Sequence, residues 1–271
     1  MKRFAVVAVS LVALGGLVSC GGGGGDGVVA PAMPLPAAGL YSGALTGSTS
    51  PDFQLLVLDG GEFWAFYGTA TPPAFAADSF AQGKWISNGG LFTSADVRDF
   101  STAPATVAAS RVSYNTTTRA IEGTISALAM TPVSFNGTPI TASTYNHNTP
   151  ALLTQVAGVW RVEGTANDSY CLNVAVDGTF GGVPTDSQGC VPTPPITPVA
   201  GCSFTGSFSP QPSGKNVFKV DIVNGVSPCA VQSLPSSGVA VVAPRTSGDD
   251  QLILATVSSD RSRGLVLSGV R

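Results

Sequence analysis

The chain has 271 residues with 13 basic and 16 acidic side chains, a net charge of −3, and 11% charged residues against 44% hydrophobic ones. Charges this few and this scattered lack the clustered basic face that nucleic-acid binding requires, so no nucleic-acid partner is expected. A single histidine excludes a multi-histidine metal site within one chain, and neither a metal nor an organic cofactor is expected.

The N-terminus opens with Lys2-Arg3, then an apolar run from Phe4 to Val18 broken by Ser10, Gly15 and Gly16. A basic pair, a short apolar stretch and small residues before a cut site mark an export signal. The run is about 15 residues, short of the roughly 20 that a membrane-spanning helix needs. It ends in Leu17-Val18-Ser19-Cys20, followed by Gly21 to Gly25. This tetrapeptide resembles the lipobox of bacterial lipoproteins. The resemblance implies removal of a signal peptide 1–19, diacylglycerol and palmitate on Cys20, and a membrane partner reached through that anchor. Two or three acyl chains anchor stably, since each buried methylene contributes about 0.8 kcal/mol. Glycine rather than aspartate after the cysteine resembles the pattern sorted to the outer membrane of Gram-negative bacteria, with the periplasmic or surface face left open. Loss of Lys2 and Arg3 takes the 13 basic residues to 11 against 16 acidic.

Residues 20–38 are Gly-rich, then Pro- and Ala-rich, which reads as a flexible and then stiffer tether. From Gly39 onward the composition changes to short β-type segments. Gly39 to Gly47 reads as a first strand, and Phe53–Leu58 and Glu62–Tyr67 flank the hairpin signal Asp59-Gly60-Gly61. In the second arm Phe63, Ala65 and Tyr67 point one way, Trp64 and Phe66 the other. An arm apolar on both faces is covered on both sides or lines a cavity; simple coverage is the expectation, and a carrier of lipocalin type would use Trp64, Phe66 and Trp85 as its lining. Pro72–Ala77 reads as a loop. Trp85-Ile86, Leu91-Phe92, Val107–Tyr114, Ile121–Ala127 and Val133–Ala142 read as strands, with Asn88-Gly89-Gly90 as a turn and Asn136-Gly137 as a further hairpin signal. Only Ala151–Ala157 reads as a helix, of one or two turns.

Gly158-Val159-Trp160 then repeats the Gly-aromatic opening of Gly39-Leu40-Tyr41, and Asp177-Gly178 repeats the Asp59-Gly60 turn at a nearly constant offset. A tandem duplication follows, with β domains over 39–150 and 151–271. Val191–Ala200 carries four prolines and cannot be a central strand. Strands resume at Ser203–Ser207, Val217–Val223, Gly238–Ala243, Gln251–Val257 and Leu265–Val270. The fold expected is all-β: two small tandem antiparallel barrels or sandwiches, with one larger barrel as the alternative.

Four cysteines remain beside Cys20, an even number in an exported chain, which points to disulfides. Pairing of sequence neighbours, Cys171 with Cys190 and Cys202 with Cys229, is expected, without Cys-x-x-Cys spacing that would suggest a redox or zinc site. Catalysis is not expected. His147 lies in a polar stretch with no Gly-x-Ser-x-Gly elbow, and is read as a solvated linker residue. Asp249-Asp250 and Asp96/Asp99 near Arg98 read as solvated turns. Anchor, tether and tandem β domains together resemble the lipid-anchored barrel class that includes transferrin-binding protein B and factor H-binding protein. That class implies a non-catalytic binding or adhesion module with a protein or glycan partner; this chain's low charge and its disulfides depart from the class, so no particular ligand is carried over. The alternative is a structural or accessory periplasmic envelope lipoprotein, or the small-ligand carrier above.

Overall fold

The computed structural model describes residues 36–271 apart from 72–73, 89, 128–130, 141–144, 165–167, 186–189, 191–201, 226–234 and 246–247. The signal segment, Cys20, most of the tether, the proline-rich segment and Cys229 lie outside the described residues.

The first half forms β1 (Gly39–Thr46), β2 (Asp52–Val57), β3 (Glu62–Thr71), β4 (Ala74–Lys84), β5 (Ile86–Asn88), β6 (Leu91–Asp99), β7 (Thr106–Tyr114), β8 (Ile121–Ala127) and β9 (Val133–Pro139). They run antiparallel in the order β4-β3-β2-β1-β9-β8-β7-β6-β5, and a β4–β6 pairing closes eight of them into a barrel with β5 as an outlying arm. That closing seam is short: Ala81 faces Asp99 and Gln82 faces Arg98.

The second half forms β10 (Gly158–Gly164), β11 (Ser169–Val174), β12 (Thr179–Pro184), β13 (Phe204–Pro210), β14 (Phe218–Asn224), β15 (Pro235–Pro244), β16 (Asp250–Ser258) and β17 (Gly264–Val270). These meander in sequence order into a second closed barrel. The expected short helix is a single 3-10 turn, Leu153–Gln155, at its entrance.

The two barrels open alike. Tyr41 and Trp160 are both fully buried, and each donates a hydrogen bond to the carbonyl four residues upstream, Tyr41 Oη to Ala37 at 2.8 Å and Trp160 Nε1 to Val156 at 2.7 Å. The first hairpins also match: Gly61 and Gly178 take φ of 82° and 86° and donate to Leu58 and Ala175 at 2.9 Å each. This is the three-residue hairpin loop that needs a left-handed residue in third place, hence glycine. The hydrogen bonds align Gly61 with Gly178, so Asp59 and Asp177 sit one position apart rather than in register.

Two expectations need correction. Pro72–Ala77 is not all loop, since β4 begins at Ala74 and pairs with β3 along its length. Its Ala, Asp, Ser and Gly content has weak strand preference, and cross-strand pairing overrides it. Asn136-Gly137 is not a turn but mid-strand, Gly137 lying opposite Gly43 and Ile121. Glycine is needed there for close approach: a Cβ on Gly137 would sit 2.7 Å from the Phe53 ring, and one on Gly43 would sit 2.0 Å from the Asn136 carbonyl.

The described residues all fall within one compact unit. Beside the two barrel interiors, a third apolar cluster joins Trp64, Phe66 and Phe80 of barrel 1 to Val239, Ile253 and Val266 of barrel 2. Polar groups of barrel 2 also cover the part of β4 beyond the seam. Gln251 accepts from Phe75 N at 3.3 Å and donates to Phe75 O at 2.6 Å, and Ser268 Oγ accepts from Ala77 N at 3.0 Å. An exposed strand edge is thereby satisfied by side chains rather than by another strand.

Candidate functional site

Barrel 1 contains a cavity of about 550 Å³. Its space comes from small residues: Ala65 on β3 faces Ala81 on β4 directly, and both line the void. Barrel 2 is instead packed around Trp160, Phe180, Phe204, Phe208 and Phe218, with Phe180 and Phe208 ring centroids 4.7 Å apart.

One wall of the cavity is aromatic. Phe63 stacks on Trp85 at 4.3 Å, and Trp85 on Phe92 at 5.8 Å. The Trp85 indole N–H is satisfied by Ser110 Oγ at 2.9 Å, so the ring is held in one orientation. Phe53 and Phe135 meet edge to face at 5.5 Å and join Leu45, Leu55, Ile125 and Val133 in the apolar lining.

The mouth is polar, and a backbone irregularity builds it. The β3–β4 register shifts between Tyr67, opposite Ser79, and Gly68, opposite Ala77, which leaves Asp78 as an extra residue. Such a bulge bends its strand and re-aims side chains. Here it places Asp78 and Ser79 on the lining together with Tyr67, Asp99 and Ser101. Asp78 accepts from Ser50 Oγ at 3.1 Å. Asp99 Oδ1 accepts from the Tyr67 hydroxyl and from Ser101 N, the latter at 2.9 Å. Burial first, and the Asp99 carboxylate second, push the Tyr67 hydroxyl's pKa well up, so it stays protonated. Ser79 is 5% exposed; its Oγ lies near the Tyr67 hydroxyl but makes no well-formed hydrogen bond among the described residues. Among the described residues the lining holds two carboxylates and no basic side chain.

Of the three residues expected to line a cavity, Trp85 does so. Trp64 and Phe66 do not: alternation along β3 turns them outward into the cluster shared with barrel 2, while Phe63, Ala65 and Tyr67 face in. The aromatic periodicity showed both faces of β3 as apolar, and only the fold decides which face is covered by a second barrel. Ala65, Ala81 and the bulged Asp78-Ser79 were missed, because a void made by alanines leaves no apolar peak to read.

Cys171 and Cys190 form a disulfide, with Cα atoms 5.4 Å apart, the first of the two expected pairings. Cys202 is disulfide-bonded as well, and its expected partner Cys229 lies outside the described residues. His147 is not a solvated linker residue. It is 8% exposed, its carbonyl accepts from Asn216 N at 3.0 Å, and its Nδ1 lies 3.5 Å from the Tyr145 hydroxyl. Tyr145 donates to the Asn216 carbonyl, so this linking segment is pinned onto barrel 2. Asp250 starts β16 and pairs with Arg271 at 3.3 Å. Among the described residues no group of three or more His, Cys, Asp or Glu could hold a metal ion, and no helix is long and apolar enough to cross a membrane.

No family profile matches the chain, and no curated protein matches it. Among solved structures, a mutant of transferrin-binding protein B from Haemophilus parasuis Hp5 is similar over 82% of this chain and 53% of that one, at 8% identity and a TM-score of 0.23. This chain thus spans about half the length of that protein.

Proposed function

We propose that this chain is a lipid-anchored envelope protein of the outer membrane that binds a small, largely apolar molecule inside its first barrel, without catalysing its conversion. The observation that carries the reading is the cavity itself. Its volume of about 550 Å³ falls in the range of roughly 300–1,000 Å³ typical of small-molecule sites, and an apolar lining with a few converging polar groups is the usual composition of such sites. The anchor comes from the lipobox-like Leu17-Val18-Ser19-Cys20 and the tether behind it. A protein or glycan partner for the loops rests on the architecture alone.

The test is titration of the secreted Cys20→Ser chain with a fluorescent naphthylamine probe. Saturable binding that disappears in Ala65→Phe or Ala81→Leu, with thermal stability kept or raised, supports the reading. Equal binding by the filled and unfilled barrels overturns it.

A further inference from the structure

We infer that the cavity of barrel 1 selects molecules carrying a hydrogen-bond-donating head group, an ammonium or a hydroxyl, on an apolar body, and rejects carboxylate-headed molecules such as fatty acids. The inference rests on the small-molecule reading above and adds the chemistry of the ligand's polar end.

Three features of the mouth point the same way. Among the described residues the charged groups on the lining are the carboxylates of Asp78 and Asp99, with no lysine, arginine or histidine beside them. An anion entering there meets like charge and loses its hydration with no cation in return. Asp99 is fixed in place by donors on one oxygen, from Tyr67 and Ser101 N, and no donor among the described residues reaches its Oδ2. Acceptor capacity is therefore left over in a held geometry, the arrangement that favours a donor. Ser79 is the third feature: 5% exposed, on the lining, with an Oγ that approaches the Tyr67 hydroxyl without completing a well-formed hydrogen bond among the described residues. A buried hydroxyl in that state gains a hydrogen bond when a partner arrives.

The β4 bulge is what assembles these groups. Without the extra residue Asp78, alternation would carry the rest of β4 to the opposite face. The strand opposite accommodates it at Gly68, where a Cβ would fall 1.8 Å from the Ala76 carbonyl oxygen. Beyond the seam at Ala81–Asp99 and Gln82–Arg98, β4 turns to barrel 2 for its hydrogen bonds. Asp78 and Ser79 are thus left to face the cavity's contents.

The experiment is calorimetric titration of the secreted Cys20→Ser chain at pH 7 with three probes sharing one body: 2-naphthylmethylamine, 2-naphthalenemethanol and 2-naphthoate. The expected order is ammonium, then alcohol, then carboxylate, with about tenfold or more between the first and last. Asp78→Asn should narrow that gap. This residue is exposed at the mouth, so the variant spares the fold, whereas Asp99→Asn also loosens Tyr67. Ser79→Ala should weaken the alcohol several-fold. Naphthoate binding as tightly as the amine overturns the head-group inference and leaves the cavity reading standing. Failure of all three probes to bind overturns both.

Discussion

Arg261, in the turn between β16 and β17, reaches across to barrel 1 and pairs with Asp96, its Nη1 lying 2.5 Å from Asp96 Oδ2. Asp96 sits where the β6–β7 register shifts between Ser94 and Val97, so a second bulge presents the carboxylate. The same guanidinium donates to the Gln82 side chain at 2.9 Å, the Gln82 carbonyl at 3.3 Å and the Asp96 carbonyl at 3.1 Å. Gln82 is on β4 and Asp96 on β6, the two strands of the short seam. One residue of barrel 2 therefore clips the weakest join of barrel 1.

Arg261→Ala should destabilise the protein by about 1–3 kcal/mol in urea unfolding, mostly through the hydrogen bonds to the less exposed Gln82. Asp96 is 62% exposed, and an exposed pair contributes little and is screened by salt. Arg261→Lys should recover only a fraction, since an ammonium cannot reproduce the planar fork. Arg261 also has φ of 54°, a conformation that disfavours any side chain, so Arg261→Gly should cost less than Arg261→Ala by about 0.5–1 kcal/mol. Equal stability of Arg261→Ala and the wild type in high and low salt would count against the clip.

His147 gives a pH signature. Burial first, and the Lys215 charge second, lower its pKa from 6.5 to about 4. In the unfolded chain it titrates near 6.5, so between about pH 6.5 and 4 the unfolded state binds the extra proton. Stability from this group is full above pH 6.5 and falls as pH drops towards 4, by about 1–2 kcal/mol after allowance for solvent screening. As the sole histidine in the chain, its ring signals can be followed by NMR without assignment. A midpoint near 6.5 in the folded protein would contradict its placement, and His147→Gln should flatten the stability profile across this window.

The Cys171–Cys190 bond closes a loop of sequence separation 19, tying the chain after β12 back to β11. In the chain-entropy account a loop of this length stabilises by about 3 kcal/mol. The double variant Cys171→Ala/Cys190→Ala should lose about that much in urea unfolding while naphthyl probes bind barrel 1 unchanged. Loss of probe binding under native conditions would mean that the barrels depend on each other more than their separate interiors suggest.

The lipid anchor is tested at Cys20. Growth with labelled palmitate should mark the wild-type protein and leave Cys20→Ser unlabelled, and the variant should leave the outer-membrane fraction. Retention of label in the variant would remove the anchor from the proposed function.

What the sequence made legible follows from where side chains carry a strong preference. Phe53–Leu58, Glu62–Tyr67 and Gln251–Val257 alternate or cluster β-branched and aromatic residues, and all three are strands. The Gly-aromatic openings marked both barrels because a buried Tyr41 or Trp160 following a glycine is a local feature. The β4 strand had no such signal, since Ala74–Lys84 is rich in small and polar residues and becomes a strand only through β3 and barrel 2. Gly137 looked like a turn because glycine serves both positive φ and close approach, and a sequence does not say which. The cavity was least legible of all: Trp85 is visible as a large residue, but the space in front of it belongs to Ala65 and Ala81, whose meaning lies in what they do not fill.

Gly68 is the position where fold and site meet most tightly, and it yields the sharpest prediction. A Cβ there would lie 1.8 Å from the Ala76 carbonyl oxygen and 3.0 Å from Asp78 N. Both are backbone atoms, so no flexible side chain can swing aside. Gly68→Ala must therefore shift the bulge or part β3 from β4, at a cost of about 1–3 kcal/mol as in other overpacked sites. Either movement displaces Asp78 and Ser79 while leaving the Phe63–Trp85 wall in place. The variant should still bind the naphthyl body, with the preference for ammonium over carboxylate reduced towards one. Unaltered stability together with unaltered preference would show that the bulge does not set the chemistry of the mouth.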